Sequence, residues 1–395
     1  MALKAALAGS KLKLLVAGLV VVGGGGATYV ALGGPLPFSG GDDGMIGTVP
    51  ADADVVVYFD PGITDDEATA TLVDGLIGVA KAQNGTYDGP DSYAEIVANT
   101  TAEFPLDTDE LDGVTVFGTY PDGGASGLGA ATPRSQYGAA LIDSEWSESA
   151  FMDLLANDTV YETEQYQGYT VHVQKPTQDD TPDWRQDVEH PTWVGVIAEG
   201  TYVVGNEAAV KDALDVDRGA APAVDGQLRT SFAKTAQGSN AYFRYAARIP
   251  EGELSNASRV LNDTNLFGAF RHLETVAGSY YTTGDRVGVQ TRLRAGSAED
   301  ASDLKEMIEG GVALSKQFTV SEEGAALLDD TEVATHGSTV TVTSESSATA
   351  VVDAVNASIT QWERLAKREY GDSGYGAGFG GGSSFQARAA PANAG

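Results

Sequence analysis

The chain has 395 residues, with 56 Asp and Glu against 24 Lys and Arg, for a formal net charge of −32 at pH 7. So acidic a surface excludes a general nucleic-acid binder, which must neutralise phosphates, and it suits a medium whose salt screens charge to within a few ångströms, the setting of a halophile. Cysteine is absent, which excludes disulfides and a lipid-modified cysteine anchor, and 42% hydrophobic residues in periodic runs argue against an acidic disordered chain.

Between Lys13 and Pro35 lie 21 residues without charge, LLVAGLVVVGGGGATYVALGG. That is close to the roughly 20 residues a helix needs to cross the hydrocarbon core. Residues 12–34 are therefore expected to be one N-terminal transmembrane signal anchor, behind a basic cytoplasmic end at 1–11. A cleaved secretory signal is the competing reading, with Lys4, Lys11 and Lys13 as the basic region and Leu14 to Val22 as the apolar one. Three lysines and no acid precede Asp42, and nine acids and no base follow from Asp42 to Ala80. The basic side stays in the cytoplasm, so either reading places the body outside the cell.

Residues 35–50 read as a stalk broken by Pro35, Pro37 and several glycines. Ala53 to Asp60 reads as a buried strand. Thr64 with Glu67 reads as a capping box for a helix carrying Leu72, Val73, Leu76, Ile77 and Ala80 on one face, and Ser92 with Glu95 repeats the device. Strands are expected at Gly113 to Tyr120, Tyr137 to Asp143, Tyr161 to Gln165 and Tyr169 to Gln174, with a helix from Ser147 to Ala156. Trp193 to Ile197 and Tyr202 to Val204 read as a hairpin through Glu199 and Gly200. Asn206 caps the next helix, through Leu214.

The phrases LDGVTVFG (Leu111 to Gly118), YGAALIDSEWSESAFMDLL (Tyr137 to Leu155), YQGYTVHV (Tyr166 to Val173), GVIAEGTYVVGNEAAVKDAL (Gly195 to Leu214) and SFAKTAQGSNAYFRY (Ser231 to Tyr245), in this order, resemble an uncharacterised family of prokaryotic membrane-anchored envelope proteins. The resemblance spans about Val49 to Ile249. It implies an exported α+β domain behind an anchor, with a halophilic archaeon as the expected source, and it supplies no catalytic residue.

The second half replays the first. Asn240 to Ile249 stands where the first strand stood, followed by a helix expected to carry Leu266, Phe270, Leu273 and Val276 on one face. Strands follow at Ser279 to Thr283 and Arg286 to Arg294, then a helix opened by Ser297, strands at Glu332 to His336 and Ser338 to Ser344, and a helix with Val351, Val355, Ile359 and Trp362. The expected fold is α+β, two similar lobes of mostly antiparallel sheet with packed helices, at 51–238 and 239–370. The Gly-rich tail at 371–395 reads as disordered.

Six of the ten asparagines head N-x-S/T sequons: Asn84, Asn99, Asn157, Asn256, Asn262 and Asn356. This excess suggests a glycosylated surface. Catalytic and metal motifs are missing. His172, His190, His272 and His336 lack zinc-site spacing. Gly124, Ser126 and Gly127 form no nucleophile elbow, and the Asp107 to Gly113 run lacks the twelfth-position Glu of a calcium loop. No catalytic residue, metal or cofactor is expected.

One local feature departs from the acidic background. From Arg229 to Arg294 there are nine bases and five acids, and strand alternation puts Tyr242, Arg244 and Arg248 on one face, with Arg292 and Arg294 together on theirs. These four arginines, Arg244, Arg248, Arg292 and Arg294, are the candidate docking residues for an anionic envelope protein or glycan. Internal pairing with acids of the first lobe is the other reading. The functional expectation is a single-pass cell-membrane protein with an extracellular body, non-enzymatic, contacting other surface components and not nucleic acid. The alternatives are an anchored solute- or ligand-binding protein with an interlobe cleft, for which Trp146, Trp184 and Trp193 are candidate lining residues, and an extracellular hydrolase with an unrecognised site.

Overall fold

A computed structural model describes residues 45–83, 87–101, 106–119, 137–156, 160–175, 191–235, 240–250, 270–319 and 321–370. The expected anchor, residues 35–44 of the stalk and the tail from 371 lie outside the described residues. The strands are β1 (Val55–Phe59), β2 (Leu111–Gly118), β3 (Gly138–Ser144), β4 (Tyr161–Tyr166), β5 (Tyr169–Gln174), β6 (Trp193–Ala198), β7 (Thr201–Gly205), β8 (Asn240–Arg248), β9 (Leu273–Thr283), β10 (Arg286–Ala295), β11 (Thr331–His336) and β12 (Thr339–Ser347). They form one twelve-stranded sheet in the order β11-β12-β10-β9-β8-β1-β2-β3-β7-β6-β5-β4. Every neighbouring pair is antiparallel. Among the described residues eight α-helices accompany the sheet: α1 (Glu67–Gln83), α2 (Tyr93–Thr101), α3 (Glu148–Leu155), α4 (Glu207–Asp217), α5 (Gly226–Ala233), α6 (Ala298–Phe318), α7 (Glu322–Asp329) and α8 (Ala348–Tyr370).

The hairpins follow from local turn chemistry. Gln167 and Gly168 join β4 to β5 with φ of 52° and 98°. Two left-handed central residues match the natural twist of paired strands, which explains the tight Tyr166 to Tyr169 reversal. Helix starts are equally local. The side chains of Ser147, Asn206 and Ser297 accept from the backbone N–H groups of Ala150, Ala209 and Asp300, opening α3, α4 and α6.

Alternation gives the sheet two apolar faces, each with its own cover. On one, Val56, Tyr58, Phe117, Leu141 and Val203 pack under α4, α5 and the turn at Met45–Thr48. On the other, Val57, Phe243, Tyr280 and Val287 meet Ile63 and Leu72, while Leu273, Val276, Leu293 and Val340 meet Ala301 and Leu304 of α6. Farther along this second face Val194, Tyr202 and Val204 meet Phe151 of α3. Tyr202 and Phe151 stack at 4.3 Å between ring centroids. Fully burying side chains of this size stabilises by about 1.5–3 kcal/mol each.

Three expectations are corrected. The two lobes do not close as separate sheets: β1 pairs with β8 from Val55↔Ala247 to Phe59↔Phe243, so both halves share one sheet. Leu273 and Val276 lie on β9 and not on a helix. Their spacing of three suits a helix; in β9, which pairs with strands on both sides, they reach one face because the ladder shifts register where Ala295 meets Leu273. Finally, Asp66 caps α1 in place of Thr64: Asp66 Oδ1 accepts from Thr69 N–H at 2.7 Å, while the Thr64 hydroxyl donates back to Pro61 O inside a short 3₁₀ turn.

Candidate partner-docking face

The register places all four candidate arginines on one face of the sheet. Antiparallel partners point the same way, and three rows cross β8, β9 and β10: Arg244, Ser279 and Gln290; Ala246, Ala277 and Arg292; Arg248, Thr275 and Arg294. Arg286, which pairs with Glu345, lies four residues before Gln290, two alternate positions along the same face.

Their environments differ sharply. Arg244 is 2% exposed. Its Nε donates to Thr235 Oγ1 and its Nη2 to Phe232 O, both at 3.2 Å, and the guanidinium sits 4.4 Å from the Phe232 ring centroid. The C-terminal end of α5 covers it, so the docking role expected of Arg244 is replaced by an interior one. Arg248 donates to Ala51 O at 3.4 and 3.3 Å and lies 3.7 Å from Asp54, an acid of the first half. Arg294 reaches Glu274 at 3.4 Å. Arg292 has no hydrogen bond or ion pair to a described residue, and partial burial lowers its pKa. Thus the face offers Arg292 first, then the half-exposed Arg294 and Arg248.

The same face buries hydroxyls that find no partner. Thr115 Oγ1, Ser279 Oγ and Thr275 Oγ1 are buried without a hydrogen bond. Thr115 and Ser279 belong to one row, Thr115, Tyr58, Arg244 and Ser279, running across β2, β1, β8 and β9. Periodicity identified these positions as strand but gave no sign that the row beneath α5 would be polar.

Elsewhere, His172 is nearly buried between two partners. Its Nε2 lies 2.8 Å from Glu148 Oε1 and its Nδ1 3.2 Å from Thr163 Oγ1. A hydroxyl, an imidazole and a carboxylate in contact share the order of a nucleophilic relay. Thr163, however, lies on outer strand β4, and the trio clamps α3 onto β4 and β5. A shallow depression of about 300 Å³ lies at the far end of the sheet, between α6 and β11. Of the candidate cleft tryptophans, Trp146 is buried and donates to Asp107 O at 2.8 Å, Trp193 is buried beneath Lys211 Nζ at 4.7 Å, and Trp184 lies outside the described residues.

No group of three or more His, Asp or Glu suited to a metal occurs among the described residues. No helix among them is long and apolar enough to cross a membrane. Of the six sequons, Asn99 and Asn356 are exposed on α2 and α8, while Asn84, Asn157, Asn256 and Asn262 lie outside the described residues.

No family model and no curated protein matches the chain. Among solved structures it is similar to crystal form III of TP0453, at 13% identity and a TM-score of 0.38, covering 79% of this chain and 97% of that one. Crystal form I of TP0453 gives 13% identity and a TM-score of 0.37, covering 80% and 98%. Likeness at this level carries no argument about what this chain does.

Proposed function

We propose that the protein is a non-enzymatic, single-pass envelope protein of a halophilic cell, its body outside the membrane and glycosylated, contacting other anionic surface components. The observation that carries this reading is the charge step around residues 14–34: lysines alone before the apolar stretch and acids alone for the next forty or so residues. In this reading the halves are two copies of one unit, each opening on a central strand, β1 or β8, and carrying toward its end a hairpin followed by a helix, β6-β7-α4 (with α5 after it) or β11-β12-α8. Among the described residues the two halves meet at β1 and β8, which are paired along five residues. The docking surface is the sheet face around Arg292 and Arg294.

The test has two parts. Intact cells are treated with protease, and membranes are washed at alkaline pH: the body should be cut from outside and the uncut chain should stay with the membrane. Recovery of intact, protease-protected protein in the soluble fraction rejects the anchor. Crosslinking on intact cells then compares the wild-type chain with Arg292→Glu plus Arg294→Glu, and an unchanged set of crosslinked surface components rejects the docking face.

A further inference from the structure

The sheet ends in two outer strands of different character. An outer strand presents a row of unpaired N–H and C=O groups, which natural proteins usually protect with charge. In β11 the two-residue turn at Gly337 and Ser338 makes His336 and Thr339 the closing hydrogen-bonded pair. The backbone groups of Glu332, Ala334 and His336 therefore face β12, and those of Thr331, Val333 and Thr335 face outward. The turn at Gln167 and Gly168 gives β4 the same arrangement, with Tyr161, Thr163 and Gln165 facing outward.

The side chains separate the two. β4 carries exposed Glu162 and Glu164, of which Glu162 pairs with Lys175. Two such strands paired about Thr163 would set Glu162 against Glu164 twice. β11 carries one acid, Glu332, and one imidazole, His336, on the same exposed face as Ala334. An antiparallel pair of β11 strands centred on Ala334 sets Glu332 against His336 of the second copy, twice, by two-fold symmetry. The same register lets Val333 and Thr335 of the two copies exchange their outward backbone hydrogen bonds.

A second observation points to the same edge. The depression of about 300 Å³ is lined by Glu309, Val312, Ala313 and Lys316 of α6 with Thr331 and Val333 of β11. Its lining sets apolar Val312, Ala313 and Val333 among Glu309, Lys316 and Thr331. Val333 and Thr335 of a paired strand would fall on the α6 side of the sheet, over this depression.

We propose that β11 is a self-association edge, at which two copies of this chain join antiparallel about Ala334 and extend the sheet across the dimer. The inference uses only the sheet and stands whether or not the anchor and envelope reading holds. The acidic body repels a second copy, so association is expected where salt screens that charge.

The absence of cysteine makes the test direct. In a non-hydrogen-bonded antiparallel pair the Cα atoms lie roughly 4.5 Å apart, within the range a disulfide spans. The full-length Ala334→Cys variant, in detergent and high salt under mild oxidation, should give a disulfide-linked dimer about tenfold or more in excess of Thr163→Cys, a preference of about 1.4 kcal/mol. Adding Thr335→Pro removes one outward N–H without touching the β12 ladder and should abolish that dimer at an unchanged melting temperature. The light-scattering mass of the unmodified chain should fall from dimer to monomer with the same Thr335→Pro change. Equal crosslinking from Ala334→Cys and Thr163→Cys, a monomeric unmodified chain at all salt concentrations, or a dimer indifferent to Thr335→Pro overturns the proposal.

Discussion

Replacing Arg244 by alanine asks whether the most buried member of the arginine face belongs to a surface or to the interior. Its guanidinium makes hydrogen bonds to Thr235 Oγ1 and Phe232 O at 3.2 Å each and lies against the Phe232 ring. Hydrogen bonds involving a charged group contribute about 1.5–3 kcal/mol apiece, and a desolvated cation–π contact about 2 kcal/mol. Burial of the guanidinium opposes these terms by several kcal/mol, which deletion recovers. Alanine also strips the packed stem and removes the donor to the Thr235 hydroxyl oxygen, while the Phe232 carbonyl keeps the N–H and the hydroxyl of Thr235 as donors. The balance is a loss of about 3 kcal/mol, or a melting temperature lowered by roughly 6–12 °C at about 2–4 °C per kcal/mol. Circular dichroism melts in high salt measure this, alongside crosslinking to surface components. Arg244→Met, which keeps much of the stem, should fall between alanine and wild type. A shift below about 2 °C together with lost crosslinking would place Arg244 in a docking surface and refute the interior assignment.

Asp66 joins α1 to two strands: Oδ1 accepts from Thr69 N–H, and Oδ2 accepts from the hydroxyls of Tyr242 at 3.1 Å and Thr282 at 2.8 Å. Asp66→Ala should cost about 3 kcal/mol, one cap plus two partly buried hydrogen bonds, in chemical denaturation; a cost below 1 kcal/mol would show that water replaces the carboxylate. Gly200 sits at φ 83° in the β6–β7 turn, and a Cβ there would collide with Ser144 O, so Gly200→Ala should lower stability by at least about 2 kcal/mol, and a neutral result would mean that the turn rebuilds. The Tyr169 phenol is held up to about 12 chiefly by its hydrogen bond to Asp217, and that of Tyr281 to about 12 chiefly by burial, with its bond to Glu345 adding to it. Because both lie above the unfolded value of about 10, the folded state keeps protons that the unfolded chain releases. Their contribution is complete below pH 10 and lost between about pH 10 and 12, so Tyr169→Phe with Tyr281→Phe should flatten the fall of melting temperature across that window, and an unaltered slope would reject the assignment.

The parts of this architecture that were legible in the sequence are those set by neighbours in the chain. The caps Ser147, Asn206 and Ser297, the Tyr166 to Tyr169 reversal and the hairpin through Gly200 all rest on interactions spanning a few residues. Helix α5 went unread because, among its eight residues, Leu228 and Phe232 are its only buried apolar side chains and its first residue is Gly226. The cap of α1 was misplaced because Thr64 and Asp66 are both good capping residues. The Pro61 turn decides between them by holding Thr64 in a 3₁₀ conformation. Alternation correctly gathered Arg244, Arg248, Arg292 and Arg294 on one face. It could not report their exposure, because the segment that buries Arg244 is an amphipathically weak helix a dozen residues upstream, unseen for the reason just given.

The union of the halves has a different cause, carried by contacts far apart in sequence. The β1–β8 seam joins residues nearly two hundred positions apart, and no local pattern distinguishes it from two separate sheet edges. Helix α1, which belongs to the first half by sequence, packs over Tyr280 and Val287 of the second and against α8. Gly75 makes that approach possible: any Cβ there would run into Val352 of α8. In an isolated helix this glycine costs roughly 1 kcal/mol against alanine and looks like a flaw in the amphipathic pattern. At the crossing of α1 and α8 it lets the backbone of one half reach the side chains of the other. The residue that weakens α1 as a local element is therefore one of those that make the two halves a single packed unit.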